Sequence, residues 1–194
     1  MDYKINQAVF SGLQGGPHNH TISAIAVAFE QAKTEGFRKY GEQMLKNAQT
    51  LADTLIKHGY RIVTGGTDTH LCLLDLRPKK TDGDRAEHLL ELVSIACNRC
   101  NVPGDESHQS HGGLRLGTPA LTSRGLVEKD FETVADFVHQ GILLTQEIQH
   151  TAGSSIKEFK KACSQLNHAE KIRILRSQVE EFVQKFPMPG CEDY

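Results

Sequence analysis

Long apolar runs, blocks of like charge and a paired-cysteine framework are all missing from this sequence, and each absence closes off a class of function. No apolar run approaches the roughly 20 residues that a membrane-spanning helix needs, so no membrane partner is expected. Lys and Arg number 22 against 24 Asp and Glu, for a net charge of −2. No basic patch with interleaved aromatics occurs, so nucleic acid is not an expected partner either. The five cysteines (Cys72, Cys97, Cys100, Cys163 and Cys191) form an odd set without disulfide-framework spacing. That pattern suits reduced thiols in the cytoplasm or a similar compartment. The opening stretch, MDYKINQAVFSGLQGG, lacks the basic-then-apolar build of a secretory signal. Internal repeats and low-complexity tracts are absent as well.

What remains is an ordinary globular composition. Hydrophobic residues make up 38% and charged residues 24% of 194 residues, enough for one domain, or one small domain and a piece of another.

Periodicity predicts a helical arm followed by a mixed domain. After the turn Gly12-Leu13-Gln14-Gly15-Gly16-Pro17, Thr21 is placed to cap a helix in which Ile22, Ile25, Phe29 and Ala32 recur at helical spacing. A second pattern through Met44, Leu45, Ala48, Leu51, Ala52 and Leu55 extends it into one long, bent helix from Thr21 to His58, ended by Gly59. Two strands are expected next, Tyr60–Thr64 and Leu71–Leu76, joined by the turn Gly65-Gly66-Thr67-Asp68. Residues 84–97 read as an amphipathic helix, 98–112 as a polar loop and Gly113–Thr118 as a short strand. Helices are expected over 127–151, 154–165 and 168–186, before Pro187 and Pro189. The fold class is α+β, with a small antiparallel sheet covered by helices.

Three stretches carry residues suited to chemistry. Gly15 and Gly16 precede a helix start, where open backbone N–H groups and the helix dipole favour an anion such as phosphate, although a Gly-Gly pair there also serves as a plain tight turn. In Gly113-Leu114-Arg115-Leu116-Gly117-Thr118-Pro119, alternation turns Leu114 and Leu116 to the core and Arg115 to the opposite face. A guanidinium there can hold a carboxylate by two parallel hydrogen bonds; alternatively it is a solvated arginine on a half-exposed strand. Cys97, Cys100, His108 and His111 form a CxxC and an HxxH of types that suit zinc, with a shorter gap than common fingers have. The other reading is a buried Cys97 beside an exposed Cys100.

Read together and in order, these stretches resemble serine hydroxymethyltransferases. Val9 to His20 (VFSGLQGGPHNH) is similar to that family's glycine-rich loop, and Ile62 to Leu71 (IVTGGTDTHL) to its small-domain hairpin. Gly113 to Gly125 (GLRLGTPALTSRG) is similar to its C-terminal motif, and Val127 to Phe131 continues the match. The resemblance implies fold type I pyridoxal-phosphate architecture. Residues 1–20 would close a large domain with its glycine-rich loop, 21–57 would form a long connecting helix, and 58–194 a small C-terminal α+β domain. It implies one-carbon exchange between serine and tetrahydrofolate, with pyridoxal phosphate as cofactor and electron sink. Arg115 would grip the substrate carboxylate, and Gly15 and Gly16 would face the cofactor phosphate across a dimer interface. A second copy, or a full-length family member, is the implied partner. The cytoplasm is the expected location, with a mitochondrial one open because targeting signals would lie ahead of residue 1.

The sequence also departs from that family. The cofactor lysine of the family follows a histidine directly, and no His-Lys pair occurs in this chain. No catalytic residue is therefore assigned, and the chain is expected to be a fragment or short paralogue, inactive alone because it has no Schiff-base lysine. The family's Asn-Lys-Asn-Thr-x-Pro-Gly-Asp becomes Asn98-Arg99-Cys100-Asn101-Val102-Pro103-Gly104-Asp105. Cys100 takes the position of a folate-binding asparagine, as a weaker donor and acceptor. Asn101 would substitute only after a one-residue shift, which turns a strand residue to the other face.

Overall fold

The computed structural model describes residues 1–106 and 111–191, in two compact units, 1–41 and 42–194. The first unit holds α1 (Asp2–Val9), α2 (Asn19–Ala32) and the start of α3 (Glu35–Lys57). Neither α1 nor α2 buries a residue. Where one helix over 21–58 is expected, the structure has two. α2 begins at Asn19, ahead of Thr21, and stops at Ala32. Thr34 then accepts the Phe37 N–H through Oγ1 at 3.2 Å. A threonine hydroxyl in that position opens a new helix, because it satisfies a donor left orphaned by the first turn. Gly59, at φ +77°, ends α3 as expected, since the left-handed conformation there suits glycine.

The second unit is a helix-covered antiparallel sheet in the order β1-β2-β4-β3, with strands Arg61–Ile62, Leu71–Asp75, Gly113–Gly117 and Asn98–Cys100 as β1, β2, β4 and β3. It is the α+β arrangement that the periodicity predicts. Alternation puts Cys72 and Leu74 of β2 and Leu114 and Leu116 of β4 into the core. The covering helices are α4 (Gly83–Leu92), α6 (Glu128–Thr151), α7 (Ile156–Cys163) and α8 (Leu166–Val183). They bring Leu89, Leu90, Phe131, Val138, Ile142 and Phe159 against the sheet side chains. Local signals set the starts: Asp82 accepts the Arg85 N–H at 2.9 Å, and Ser155 and Glu158 bond reciprocally at 3.2 and 3.0 Å.

Two expectations give way. The first strand pairs only over Arg61–Ile62, because Thr64 and Gly65 enter the left-handed region at φ 74° and 84° and the chain turns. The polar stretch 98–112 is not all loop: Asn98–Cys100 pairs with β4 at the sheet edge. The short helix α5 (Pro119–Ser123) is also unforeseen; Pro119 stands in its first turn, where its missing N–H costs nothing.

Candidate functional site

The site begins with the register of β2, β4 and β3. Leu73, Arg115 and Asn98 stand opposite one another in one row, and Asp75, Gly113 and Cys100 form the next row on the same face. That face is the one turned away from the core. Arg115 is exposed on it, as the alternation predicts, while Leu114 and Leu116 are buried. The guanidinium donates through Nη2 to Asn98 Oδ1 at 3.4 Å. Around it opens a recess of about 420 Å³ whose polar lining is Arg115, Asn98, Cys97 and His70. An open guanidinium in a concave, partly polar recess fits a carboxylate.

The recess walls are fixed from behind. Thr118 is fully buried; its N–H donates to His70 O at 3.0 Å and its hydroxyl to Met44 O at 3.0 Å. These bonds hold the start of β2 and the end of β4 together. The glycines on either side of Arg115 have different roles. A Cβ at Gly113 would lie 2.4 Å from Leu74 O and 2.4 Å from Val102 Cγ1, so protein atoms already fill the space beside it. Gly117 is exposed and lines the recess.

Below Arg115, a charged network sets the shape of the segment after β3. Asp105 Oδ2 accepts the N–H groups of Val102 and Gly112, each at 2.9 Å, and Oδ1 accepts from Arg77 Nη1 at 3.1 Å. Burial pushes the Asp105 carboxyl up, but the two backbone N–H groups and Arg77 outweigh it and leave it below the usual range. Asn101 follows the last β3 residue, and its Nδ2 lies 3.5 Å from Asp105 Oδ2. Cys100, by contrast, shares the Arg115 face.

Gly15 and Gly16 lie in the first unit, ahead of α2. A Cβ at either would meet nothing within 4 Å, so an anion can approach their backbone without obstruction. The zinc alternative is not supported, and the other reading is corrected as well, since Cys97 and Cys100 are both half-buried. Among the described residues no three metal-ligating side chains come together. Burial and the nearby Glu87 and Glu91 push the Cys97 thiol up to about 12, which opposes the thiolate that zinc needs. His111 Nδ1 is 3.2 Å from Asp84, and His108 lies outside the described residues.

Sequence reasoning passes over Asn98 and His70. The signal for Asn98 is the pairing of β3, which its polar composition hides. The signal for His70 is its place directly before β2, in the turn that precedes an apolar run.

With this geometry in hand, the comparisons with known proteins decide the family. A family profile described as Serine hydroxymethyltransferase matches residues 1–138. The chain belongs to the serine hydroxymethyltransferase family. It is 54% identical over 191 residues to a "Serine hydroxymethyltransferase" of Caenorhabditis briggsae, covering 98% of this chain and 37% of that protein. It is 53% identical over 195 residues to one of Caenorhabditis elegans, covering 100% and 38%. It is 55% identical over 197 residues to "Serine hydroxymethyltransferase, cytosolic" of Oryctolagus cuniculus, covering 100% and 41%. The chain thus spans about two fifths of the length of these hydroxymethyltransferases. Among its described residues no helix is long and apolar enough to cross a membrane.

Proposed function

We propose that this chain supplies the carboxylate-gripping part of the serine hydroxymethyltransferase reaction, the exchange of a one-carbon unit between serine and tetrahydrofolate. The observation that carries the reading is Arg115, exposed on the sheet face inside the recess and bonded to Asn98. Two parallel N–H donors hold the substrate carboxylate, and Asn98 fixes the plane of the guanidinium. The grip orients the bonds at the α-carbon, which is where positioning lowers the barrier. Residues 58–194 act as the small domain of fold type I architecture in this reading. Gly15 and Gly16 fit the cofactor phosphate, because their backbone is open to an anion. When bound, pyridoxal phosphate supplies an electron sink beside the α-carbon. No His-Lys pair stands in these 194 residues, so they hold that cofactor without a covalent bond and do not turn over alone. Cys100, on the Arg115 face, weakens the tetrahydrofolate contact that an asparagine makes there. The cytoplasm is the proposed location, as for the rabbit relative named cytosolic.

The test is a glycine titration of the 194-residue chain followed by NMR at the backbone amides of Asn98 and Leu116, beside Arg115. Saturable shifts that vanish in Arg115→Ala are expected; shifts identical in that variant overturn the reading. Serine–glycine exchange by the chain alone, with pyridoxal phosphate and tetrahydrofolate added, would defeat the inactivity proposal.

A second reading, a non-catalytic module that docks on another copy or on a full-length family member, is favoured by α2. Ile22, Ile25, Val27 and Phe29 are all exposed on it. Light scattering is expected to give a mass above the 21.5 kDa of one chain. A monomer at that mass excludes self-association.

A further inference from the structure

On the covered side of the sheet, behind Leu116, the fold leaves an apolar hollow of about 250 Å³. Its floor is Leu51, Leu116, Phe131 and Val138, all buried, and α5, α6 and α8 supply its sides. An apolar cavity of roughly 150 Å³ stays dry and takes up a benzene ring, so this hollow has room for one ring or for two fused rings. Phe137 and Phe182 also line it and meet edge to face, with ring centres 5.6 Å apart. Phenylalanine rings around a hollow suit another ring, through the same edge-to-face contacts.

The polar groups at its margin are already engaged. Arg124 donates to the carbonyls of Val183, Phe186 and Pro187 at 2.6, 3.0 and 3.1 Å, and so caps the end of α8. Ser94 Oγ donates to Glu180 Oε1 at 2.8 Å. A charged ligand would meet a counter-ion there only by breaking those bonds. Ala96 and Ala120, both exposed, stand at the margin with small side chains and leave the hollow open to solvent.

We propose that this hollow binds an uncharged aromatic molecule of one or two rings, seated on Leu116 and Phe131 between α5, α6 and α8. The serine or glycine of the proposed reaction, charged at both ends, is excluded from it by the same chemistry. The site stands or falls separately from the carboxylate grip of Arg115, which faces the other side of the sheet.

Toluene and benzoate, one ring without and with a charge, are titrated into the 194-residue chain and followed by NMR at the backbone amides of Leu116, Leu121 and Val138. Toluene is expected to give saturable shifts there, and benzoate to bind about tenfold more weakly, since its carboxylate has no free partner in the hollow. Ala120→Trp brings a ring into the hollow from an exposed position, and Val134→Phe narrows it from α6. Each should weaken toluene about tenfold by taking its space, whereas Ala120→Ser should bind it as the unaltered chain does. Native amide patterns away from the hollow, recorded in the same spectra, show that the variants fold. Toluene affinity unchanged in both Ala120→Trp and Val134→Phe overturns the site. Equal affinity for toluene and benzoate overturns the uncharged class. Shifts of these amides on diluting the chain, with no response to toluene, put a second copy in the hollow and overturn the proposal as well.

Discussion

Arg77 holds Asp75 through two parallel hydrogen bonds, Nε to Oδ1 at 2.9 Å and Nη2 to Oδ2 at 2.8 Å, with the Asp75 side chain only 2% exposed. Arg77 also reaches Asp105 and the Pro103 carbonyl, so one guanidinium ties β2 to the segment that follows β3. The Arg77 hydrogen bond keeps the Asp75 carboxyl below the usual carboxylate range.

Removing the Arg77 side chain leaves a buried carboxylate facing Arg61 at 3.5 Å and the residue-77 backbone N–H at 3.1 Å. Arg77→Ala is expected to lower the urea midpoint clearly and to raise the Asp75 pKa. Asp75→Asn in the Arg77→Ala background should recover part of that loss. An unchanged midpoint in Arg77→Ala would show the clamp to be dispensable.

Gly113 lies where β2, β3 and the Val102 side chain converge. Gly113→Ala should cost about 1–3 kcal/mol, since backbone oxygen and a packed methyl must shift to admit the new atom. Gly66→Ala, where a Cβ meets nothing within 4 Å, is the matched control. Chemical denaturation of both variants measures the difference.

Acid should destabilise the protein in two stages. Burial, together with His58 and Lys79, lowers the His139 pKa; burial and Lys160 lower that of His88. As pH falls through about 6.5, the unfolded chain takes up protons that these folded imidazoles refuse, so stability declines. Asp75 and Asp105 have lowered values, so their contribution is present above about 4 and is lost as pH falls further. Urea midpoints measured from pH 8 to pH 3 test this, with His139→Gln expected to flatten the first stage. That histidine is stacked on His58 at 4.2 Å and lies 2.9 Å from Tyr60 Oη.

Thiol labelling should sort the cysteines by environment. Burial pushes Cys72 and Cys97 up to about 12 and Cys163 up to about 11, while Cys191 is exposed. Brief alkylation near pH 8 is expected to mark Cys191 and spare Cys72, Cys97 and Cys163. Prompt modification of Cys97 in the folded chain, seen by peptide mass analysis, would contradict the raised thiol value.

The parts of the fold legible in the sequence are those fixed by near neighbours. Alternation in Gly113–Gly117 is enough to turn Arg115 outward, and helical spacing locates α4, α6 and the C-terminal half of α3. What escapes is set by distant partners. β3 is polar because Arg99 is held by Glu87 at 2.6 Å and by Asp84 at 3.2 Å, both on α4, and no spacing within 98–100 reveals that. The helix break at Thr34 escapes for another reason: the apolar period runs on across it, and the capping hydroxyl competes with continuation. The zinc pattern misleads because residue types match while Cys97 is screened by acid neighbours and His111 faces Asp84. At the candidate site, Arg115 is readable by itself, whereas Asn98 and His70 join it only through strand register and the Thr118 bond.

The sheet ends on both sides in very short strands, two residues in β1 and three in β3. Each outer strand is therefore a short template for another chain, although it covers only part of its neighbour: β1 pairs with Leu74 and Asp75 of β2, and β3 with Gly113 to Arg115 of β4. Edge-to-edge growth of the sheet is discouraged twice over, by the brevity of those strands and by the exposed charge that Arg61 and Arg99 place on them.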